Sequence, residues 1–172
     1  MIMSHVTEGE LSPVLRHNEP IKLIGMSQTM SQADYSIGEL WRRFMPRRRE
    51  IKNSLSKNLI SMTLYDQAYF KKYDPARKFQ KWAGMAVADL SVIPHDMETF
   101  KIPAGLYAVF HYRGLSTDKS VYQYIFGSWL PASGFILDNR PHFEVLGENY
   151  RNNDPDSEEE IWIPIEASPQ TV

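Results

Sequence analysis

The chain of 172 residues contains no cysteine, which excludes a disulfide framework, a thiolate nucleophile, an iron–sulfur cluster and a cysteine-ligated zinc site. It has no apolar run long enough to cross a bilayer, so we expect no membrane-spanning helix, and its start lacks the apolar stretch of a signal peptide. An excess of one charge is also missing, since 19 basic and 21 acidic side chains give a formal net charge of −2. Nucleic-acid-binding domains are usually strongly basic. We therefore expect a cytoplasmic protein without direct nucleic-acid binding.

Sequence motifs of several catalytic classes are missing as well. The five histidines form no H-x-x-x-H or H-E-x-x-H pattern, so we expect no metal site. There is no G-x-S-x-G motif and no glycine-rich phosphate loop. The sequence therefore predicts neither a metal nor a cofactor.

Aromatic residues, by contrast, are abundant, with 4 Trp, 9 Tyr and 8 Phe. Several of them lie in two segments that resemble each other. Residues 36–46 and 121–131 each carry apolar side chains at the i, i+3, i+4, i+7, i+8 spacing of an amphipathic helix. The two stripes end before proline and share a constant offset of 85 in residue number, with Ser31 and Ser116 as matched candidate caps. They consist of Ile37, Leu40, Trp41, Phe44 and Met45, and of Tyr122, Ile125, Phe126, Trp129 and Leu130.

Predicted strands precede and follow both helices in the same order, so each half has the sequence strand–helix–strand–strand. The pattern predicts an α+β fold made by duplication. We expect residues 1–10 to form a flexible leader and residues 11–168 a single domain of two repeats, 11–95 and 96–168. With the domain occupying this span, we expect no separate DNA-binding domain in the chain.

A duplicated domain has a groove between its halves, and such a groove is a natural ligand site. The offset pairs Trp41 with Phe126 and Phe44 with Trp129, and we expect Trp82 and Trp162 to form a third matched pair. Each of these rings could equally be core packing, since aromatic residues on a helical stripe usually are. We expect the set as a whole to line a pocket.

Three segments of the second half carry a resemblance to a known family. They are IPAGLYAVFHYRG (102–114), YIFGSWLPASGFILDNRPHFEVL (124–146) and EEEIWIPIE (158–166). In order and spacing they resemble the GyrI-like (gyrase-inhibitor-like) small-molecule-binding domain, which is also the effector-binding domain of AraC-type and MerR-type transcription regulators. The chain departs from the family pattern at Leu146, where an aromatic residue is usual.

The resemblance implies an antiparallel sheet of about eight strands, two helices and a ligand cleft on a pseudo-twofold axis. It places Glu144 at the floor of that cleft, where a carboxylate among aromatic rings would suit a hydrophobic or aromatic cation. We therefore expect a small-molecule-binding protein of the bacterial regulator type. The expected ligand-binding residues are Glu144, Trp41, Phe44, Tyr65, Trp82, Phe110, Tyr112, Phe126, Trp129 and Trp162.

Two alternatives remain open. Some proteins similar to this family are thought to be hydrolases, which here would use Glu144 with a cleft tyrosine, Tyr65, Tyr107, Tyr112 or Tyr122. The gyrase-inhibitor resemblance also allows a protein-interaction module. Its partner would bind a basic face, although such a face is more often simply a solvated surface. That face comprises Arg42, Arg43, Arg47, Arg48 and Arg49. The acidic stretch 152–160 is expected to be a solvated hairpin loop.

Overall fold

In the computed structural model, which describes residues 11–169, the chain forms nine strands and two helical segments. The predicted leader 1–10 lies outside the described residues. The strands are β1 (Val14–Asn18), β2 (Ile21–Ser31), β3 (Leu59–Leu64), β4 (Lys78–Val87), β5 (Glu98–Ile102), β6 (Gly105–Arg113), β7 (Phe135–Leu137), β8 (His142–Leu146) and β9 (Glu158–Ala167). The predicted α+β fold is confirmed, with the short strand β7 added to the eight that the sequence indicated.

All strand pairs are antiparallel, and the main sheet has the order β1-β6-β9-β8-β3-β4-β2-β5, with β7 paired to β9. Exchanging the two halves of the chain gives the same order read from the other edge. The centre of the sheet is therefore the β3–β8 pair, one strand from each half. At the outer edges β1 pairs with β6 and β5 pairs with β2, so each half contributes its first strand to the other half.

The first two strands of each half repeat with an offset of 84 in residue number, from Val14 to Glu98 and from Ile21 to Gly105. The offset of 85 inferred from the helices is therefore wrong by one for the strands. The difference matters because adjacent residues of a strand point to opposite faces. With 84, Ile24 and Ala108 become equivalent, and both pack beneath a helix.

The first helical segment is α1 (Ile37–Phe44), followed by a 3₁₀ turn over Met45–Glu50 that contains Pro46. It buries Leu40 and Phe44 of the predicted stripe. The predicted cap Ser31 is wrong, because Ser31 ends β2 and its Oγ accepts a hydrogen bond from the amide of Asp34 at 3.0 Å.

The second helical segment begins with α2 (Ser120–Tyr124), continues as a π-helical turn over Ile125–Trp129 and ends with α3 (Leu130–Ala132). The predicted cap Ser116 lies before it, in the connection after β6. The stripe predicted for this helix packs on the sheet, but Val121, which the stripe omitted, is one of its buried residues.

The sheet has two different faces. On one face α1 covers β2 and β4, and the second helical segment covers β6 and β9, which gives two separate apolar cores. The opposite face has its own core, formed by side chains of β2, β3, β4, β5, β6 and β8. Between the two helix-covered cores, on the helix face of β3 and β8, lies the region that we call the cleft.

A buried arginine fixes the segment that leads into β8. The guanidinium of Arg140 donates to the carbonyl oxygens of Leu106 at 2.5 Å and Ile165 at 3.2 Å, and to Asp138 at 2.5 Å. Gly105 allows this approach, since a Cβ there would lie 2.3 Å from Arg140 Nη1. The motif glycine and arginine therefore set the position of the strand that carries Glu144.

Candidate functional site

The cleft floor is a row of residues that crosses four strands. Ala83 of β4 is paired with Ser61 of β3, Ser61 with Glu144 of β8, and Glu144 with Ile161 of β9. Ala83 belongs to the core beneath α1 and Ile161 to the core beneath the second helical segment. Since directly paired residues share a face, Glu144 and Ser61 lie on the helix face, at the centre of the sheet.

Glu144 accepts a hydrogen bond from the hydroxyl of Tyr122 on α2. Burial, together with the negative charge of Glu144, raises the pKa of Tyr122 well above its ordinary value, so the phenol stays protonated and acts as the donor. The Glu144 side chain is half-buried. The carboxylate of Glu144 therefore lies beside the pseudo-twofold axis that relates the two halves of the sheet, and a hydrogen bond from Tyr122 of α2 holds it.

A second carboxyl group lies on the same face of β9. Glu159 is only 8% exposed, and burial followed by repulsion from Glu144 raises its pKa to about 8, although Lys81 opposes the shift. Glu159 is thus largely protonated at neutral pH. The prediction that residues 152–160 form a solvated loop is wrong for the last three residues, because β9 begins at Glu158 and the side chain of Glu159 is buried.

A third polar group lies on the α1 side of the cleft. Lys81 of β4 is 8% exposed, and its Nζ donates to Thr63 Oγ1 at 2.8 Å. Thr63 is paired with Lys81 on one side and with His142 of β8 on the other. Burial, and to a smaller extent the charge of Lys81, lowers the pKa of His142 to about 3, so its imidazole is neutral at pH 7.

Aromatic side chains cover this side of the cleft. The connection from β3 to β4, residues 65–77, which we call the aromatic loop, brings Phe70 into a stacked contact with His142 at 5.4 Å and within 5.5 Å of Phe126. Tyr65 contacts His142 edge-on at 5.0 Å, and burial raises its pKa above the ordinary value. Arg77 closes the loop by two hydrogen bonds to Asp66, at 2.7 and 2.9 Å.

Two cavities lie near these elements. One, of about 320 Å³, opens beside the cleft, and the other, of about 310 Å³, lies along the second helical segment at Tyr124, Ser128 and Trp129. Glu144 lines neither of them. The residues lining the first cavity include Tyr65, Phe70, Leu137, Arg140, His142 and Glu166.

Most of the expected ligand-binding residues have definite positions on the helix face. Tyr65 and Phe126 contact His142 beside the cleft. The remaining helix-face residues pack in the two cores: Trp41 and Phe44 beneath α1, and Phe110, Tyr112 and Trp129 beneath the second helical segment. Phe44 and Phe110 are fully buried, so as long as the cores keep their packing they are not ligand contacts.

The expectation that Trp82 and Trp162 line the cleft as a matched pair is corrected by the strand register. Both side chains lie in the core of the opposite face, where Trp162 stacks on Phe143 at 4.9 Å and Trp82 contacts Phe100 at 5.7 Å. They are not equivalent in the repeat either. The reason is the period of two along a strand, which directs Lys81 and not Trp82 toward the helices.

The structure excludes two of the tyrosines that were expected as candidate partners of Glu144. The hydroxyl of Tyr107 donates to the carbonyl of Pro141 at 2.7 Å, and that of Tyr112 donates to the carbonyl of Leu115 at 2.9 Å. Neither hydroxyl reaches Glu144, so the expectation that Tyr107 or Tyr112 acts together with Glu144 is wrong. Tyr122 occupies that position because the turns of α2 direct it onto the sheet.

The basic face around α1 is partly engaged within the chain. Arg43 bonds Ser27 and Gln28, Arg47 bonds Glu50 and the carbonyl of His95, and Arg48 bonds the carbonyl of Met45. Arg42 and Arg49 are exposed. A partner surface formed by these arginines therefore stays a prediction.

Sequence reasoning missed Lys81, Thr63 and Glu159 as cleft residues. A signal was present, because the alternation Lys81, Ala83, Met85 in β4 gives one face with two apolar members and a lysine. Within residues 11–169, no three histidine, aspartate or glutamate side chains form a group that could hold a metal ion. Across the same residues, no helix is long and apolar enough to cross a bilayer.

The comparisons with known proteins agree with this geometry. The sequence profile of the GyrI-like small molecule binding domain matches residues 12–166. The chain is 30% identical over 145 residues to the transcriptional regulator BrlR of Pseudomonas aeruginosa. That alignment covers 83% of this chain and 51% of BrlR, so the chain spans about half the length of this relative.

Two solved structures show the same fold. The C-terminal domain of EcmrR superposes with a TM-score of 0.68 at 15% identity, covering 92% of this chain and 99% of that domain. The structure of SAV2435 bound to tetraphenylphosphonium superposes with a TM-score of 0.64 at 18% identity, covering 90% and 93% of the two chains.

Proposed function

The chain belongs to the GyrI-like small molecule binding domain family, and from that membership we propose that its cleft binds a hydrophobic organic cation with Glu144 as the counter-ion. The position of Glu144 is the observation that carries this proposal. It lies at the centre of the sheet, on the helix face and between the two helical segments. A carboxylate at such a place is costly to desolvate unless a positive group neutralises it.

The surroundings of Glu144 suit a large, weakly hydrated cation. Phe126 and the aromatic loop offer ring faces beside the cleft, and rings attract organic cations through apolar contact and cation–π interaction. The hydroxyl of Tyr122 donates a hydrogen bond to the carboxylate. Ligand entry would replace that bond, in part or wholly, by attraction to the cation.

The relatives support a regulatory use of such binding. BrlR is a transcriptional regulator, and SAV2435 has been solved with tetraphenylphosphonium bound. We propose that the domain acts as an effector-binding domain of this type. In that role, ligand binding in the cleft would be the event that the rest of a regulatory assembly senses.

The experiment is isothermal calorimetry with two ions of the same shape and opposite charge, tetraphenylphosphonium and tetraphenylborate. We expect the wild-type domain to bind the cation and not the anion. Glu144→Gln should weaken cation binding by about 2 kcal/mol or more, about thirtyfold, because it removes one partner of a desolvated charge pair. Glu148→Gln, at an exposed carboxylate near the same strand, is the matched control. Equal binding of both ions, or unchanged affinity in Glu144→Gln, would contradict the proposal.

A hydrolase is the second candidate, and the contact between the Tyr122 hydroxyl and Glu144 favours it. A carboxylate could orient or deprotonate water while the phenol donates a hydrogen bond to the leaving group. A panel of esters and epoxides tests this directly. Wild-type turnover that disappears in both Glu144→Gln and Tyr122→Phe would support the hydrolase. Wild-type turnover no greater than that of the two variants would reject it.

A further inference from the structure

The ammonium group of Lys81 is buried, and no acidic group of residues 11–169 lies at ion-pair distance from it. Its side chain is 8% exposed, and the Thr63 hydroxyl at 2.8 Å is the one hydrogen-bond acceptor that the described residues supply to Nζ. The ion pairs found within residues 11–169 do not include Lys81. Because an ammonium group carries three donors, two of them have no acceptor within the described part of the chain. A buried charge with so little compensation is costly for stability.

The neighbours of Lys81 make this end of the cleft a place for an anionic oxygen. Thr63 lies between Lys81 and His142 in one row across β4, β3 and β8. The three residues share the helix face with Glu144. A neutral imidazole and a hydroxyl can each donate a hydrogen bond, and the lysine adds the positive charge.

Comparison of the two repeats shows that equivalent positions at the two ends of the cleft carry different side chains. Lys81 is paired with Gln28, and Glu159 is paired with Tyr112, which is the equivalent of Gln28 at the strand offset. Lys81 and Glu159 are therefore equivalent positions on opposite sides of the pseudo-twofold axis. One side carries a cation and the other a carboxyl group whose pKa is raised to about 8, so the two ends of the cleft differ in charge.

Resting on the proposed function, we propose that the ligand of this cleft is dipolar. Its cationic, aromatic part lies against Glu144, and an anionic group, such as a carboxylate, binds Lys81, Thr63 and His142. Lys81 lies two strands from Glu144, about 10 Å across the sheet. The ligand class is thus a zwitterion whose two charges are separated by a short linker.

Two phosphonium salts that differ in one group test this inference by calorimetry. They are pentyltriphenylphosphonium, a cation, and (4-carboxybutyl)triphenylphosphonium, a zwitterion once its carboxylate is ionised. We expect the wild-type domain to bind the zwitterion at least tenfold more tightly. Lys81→Met should remove this preference, lowering affinity for the zwitterion about tenfold while affinity for the cation stays the same or rises.

Matched variants separate recognition from folding. Lys81→Arg retains the charge and should retain part of the preference, and Lys78→Met changes an exposed lysine of the same strand and should leave both affinities unchanged. If Lys81→Met does not fold, as judged by its thermal melting, Thr63→Val provides a second test with the same expected loss of selectivity.

The outcomes distinguish this inference from the proposed function. Tighter or equal binding of the simple cation by the wild-type domain, or parallel loss of both ligands in Lys81→Met, would overturn the dipolar ligand while leaving the cation site in place. Binding of neither phosphonium salt would overturn the proposed function and this inference together.

Discussion

Ser61 and Glu144 face each other as a directly paired couple across the central strands, and the pseudo-twofold axis passes between them. An exact repeat would place the same residue at both positions. The chain instead has a hydroxyl at one and a carboxylate at the other, and it differs again at the equivalent positions Lys81 and Glu159. Duplication thus supplies a symmetric scaffold, and a few polar substitutions on one face make its cleft asymmetric.

The bond from Tyr122 to Glu144 gives the first prediction. Tyr122→Phe should lower the free energy of unfolding by about 1.5–3 kcal/mol, the range for a hydrogen bond to a charged group. The same change should raise tetraphenylphosphonium affinity several-fold, because Glu144 loses a hydrogen bond that competes with the ligand. Urea unfolding and calorimetry measure the two effects. Weaker binding in the variant would show that Tyr122 holds the ligand and does not compete with it.

The fold was largely predictable because it depends on periodicity. The helical stripes, the strand alternation and the proline boundaries specify local structure, and the repeat specifies how the halves are related. The tryptophans were misplaced because they were paired by residue type, without regard to the alternation along each strand that directs both side chains to the opposite face. The exchange of β1 and β5 between the halves depends on long-range pairing that no local pattern records.

Glu159 gives a prediction of how stability changes with pH. Its folded pKa is raised to about 8 from an ordinary 4.5, by burial and then by Glu144. Between these values the folded state retains a proton that the unfolded state releases. The free energy of unfolding should therefore fall as pH rises through this window, by at most about 1.4 kcal/mol per pH unit. In Glu159→Gln, the free energy of unfolding measured with urea should decline less between pH 6 and 8.5.

The control for Glu159 is Glu148→Gln, an exposed carboxylate close in sequence to β8. It should keep the wild-type decline with pH. An undiminished decline in Glu159→Gln would show that another group releases the proton on unfolding.

His142 gives a pH prediction with the opposite sign. Burial and then Lys81 lower its folded pKa to about 3 from an ordinary 6.5. As pH falls below 6.5, the unfolded chain gains a proton that folded His142 does not accept, so stability decreases toward acid. His142→Asn should remove part of that loss when unfolding is compared at pH 6.5 and 4.5. His95→Asn, at an exposed histidine, should not.

The site was less predictable than the fold because its chemistry depends on burial. Glu144 was found through a family motif, whereas Lys81 and Glu159 look like ordinary surface charges in the sequence. Their roles follow from residue pairing across strands that are distant in the chain. The neutral state of His142 likewise depends on the aromatic loop, which connects two strands and has no sequence periodicity.

The placement of Trp162 on the opposite face gives a direct test of the corrected geometry. Trp162 stacks on Phe143 at 4.9 Å, behind the strand that carries Glu144. Trp162→Phe should therefore reduce stability through lost packing, while tetraphenylphosphonium affinity changes less than twofold. Phe126→Ala, beside the cleft, should weaken the same ligand several-fold. Calorimetry on both variants checks this, and a larger loss in Trp162→Phe would put the ligand on the other face.

Gly105 gives the last prediction, and it concerns how the glycine of the IPAG motif supports the site. A Cβ at this position would lie 2.3 Å from Nη1 and 2.4 Å from Cζ of Arg140. Gly105→Ala should therefore push the guanidinium away from the carbonyls of Leu106 and Ile165, lowering the free energy of unfolding by about 1–3 kcal/mol. It should also weaken cation binding, because Arg140 holds the segment before β8 and so the position of Glu144.

Gly127→Ala is the contrasting change, since nothing lies within 4 Å of a Cβ placed there. Within a helical segment, alanine in place of glycine should leave stability unchanged or raise it by up to about 1 kcal/mol. Urea unfolding of the two variants side by side separates steric conflict from the general effect of adding a methyl group. Equal stability of Gly105→Ala and the wild-type domain would mean that Arg140 has room to move, and that the motif glycine is not required for its position.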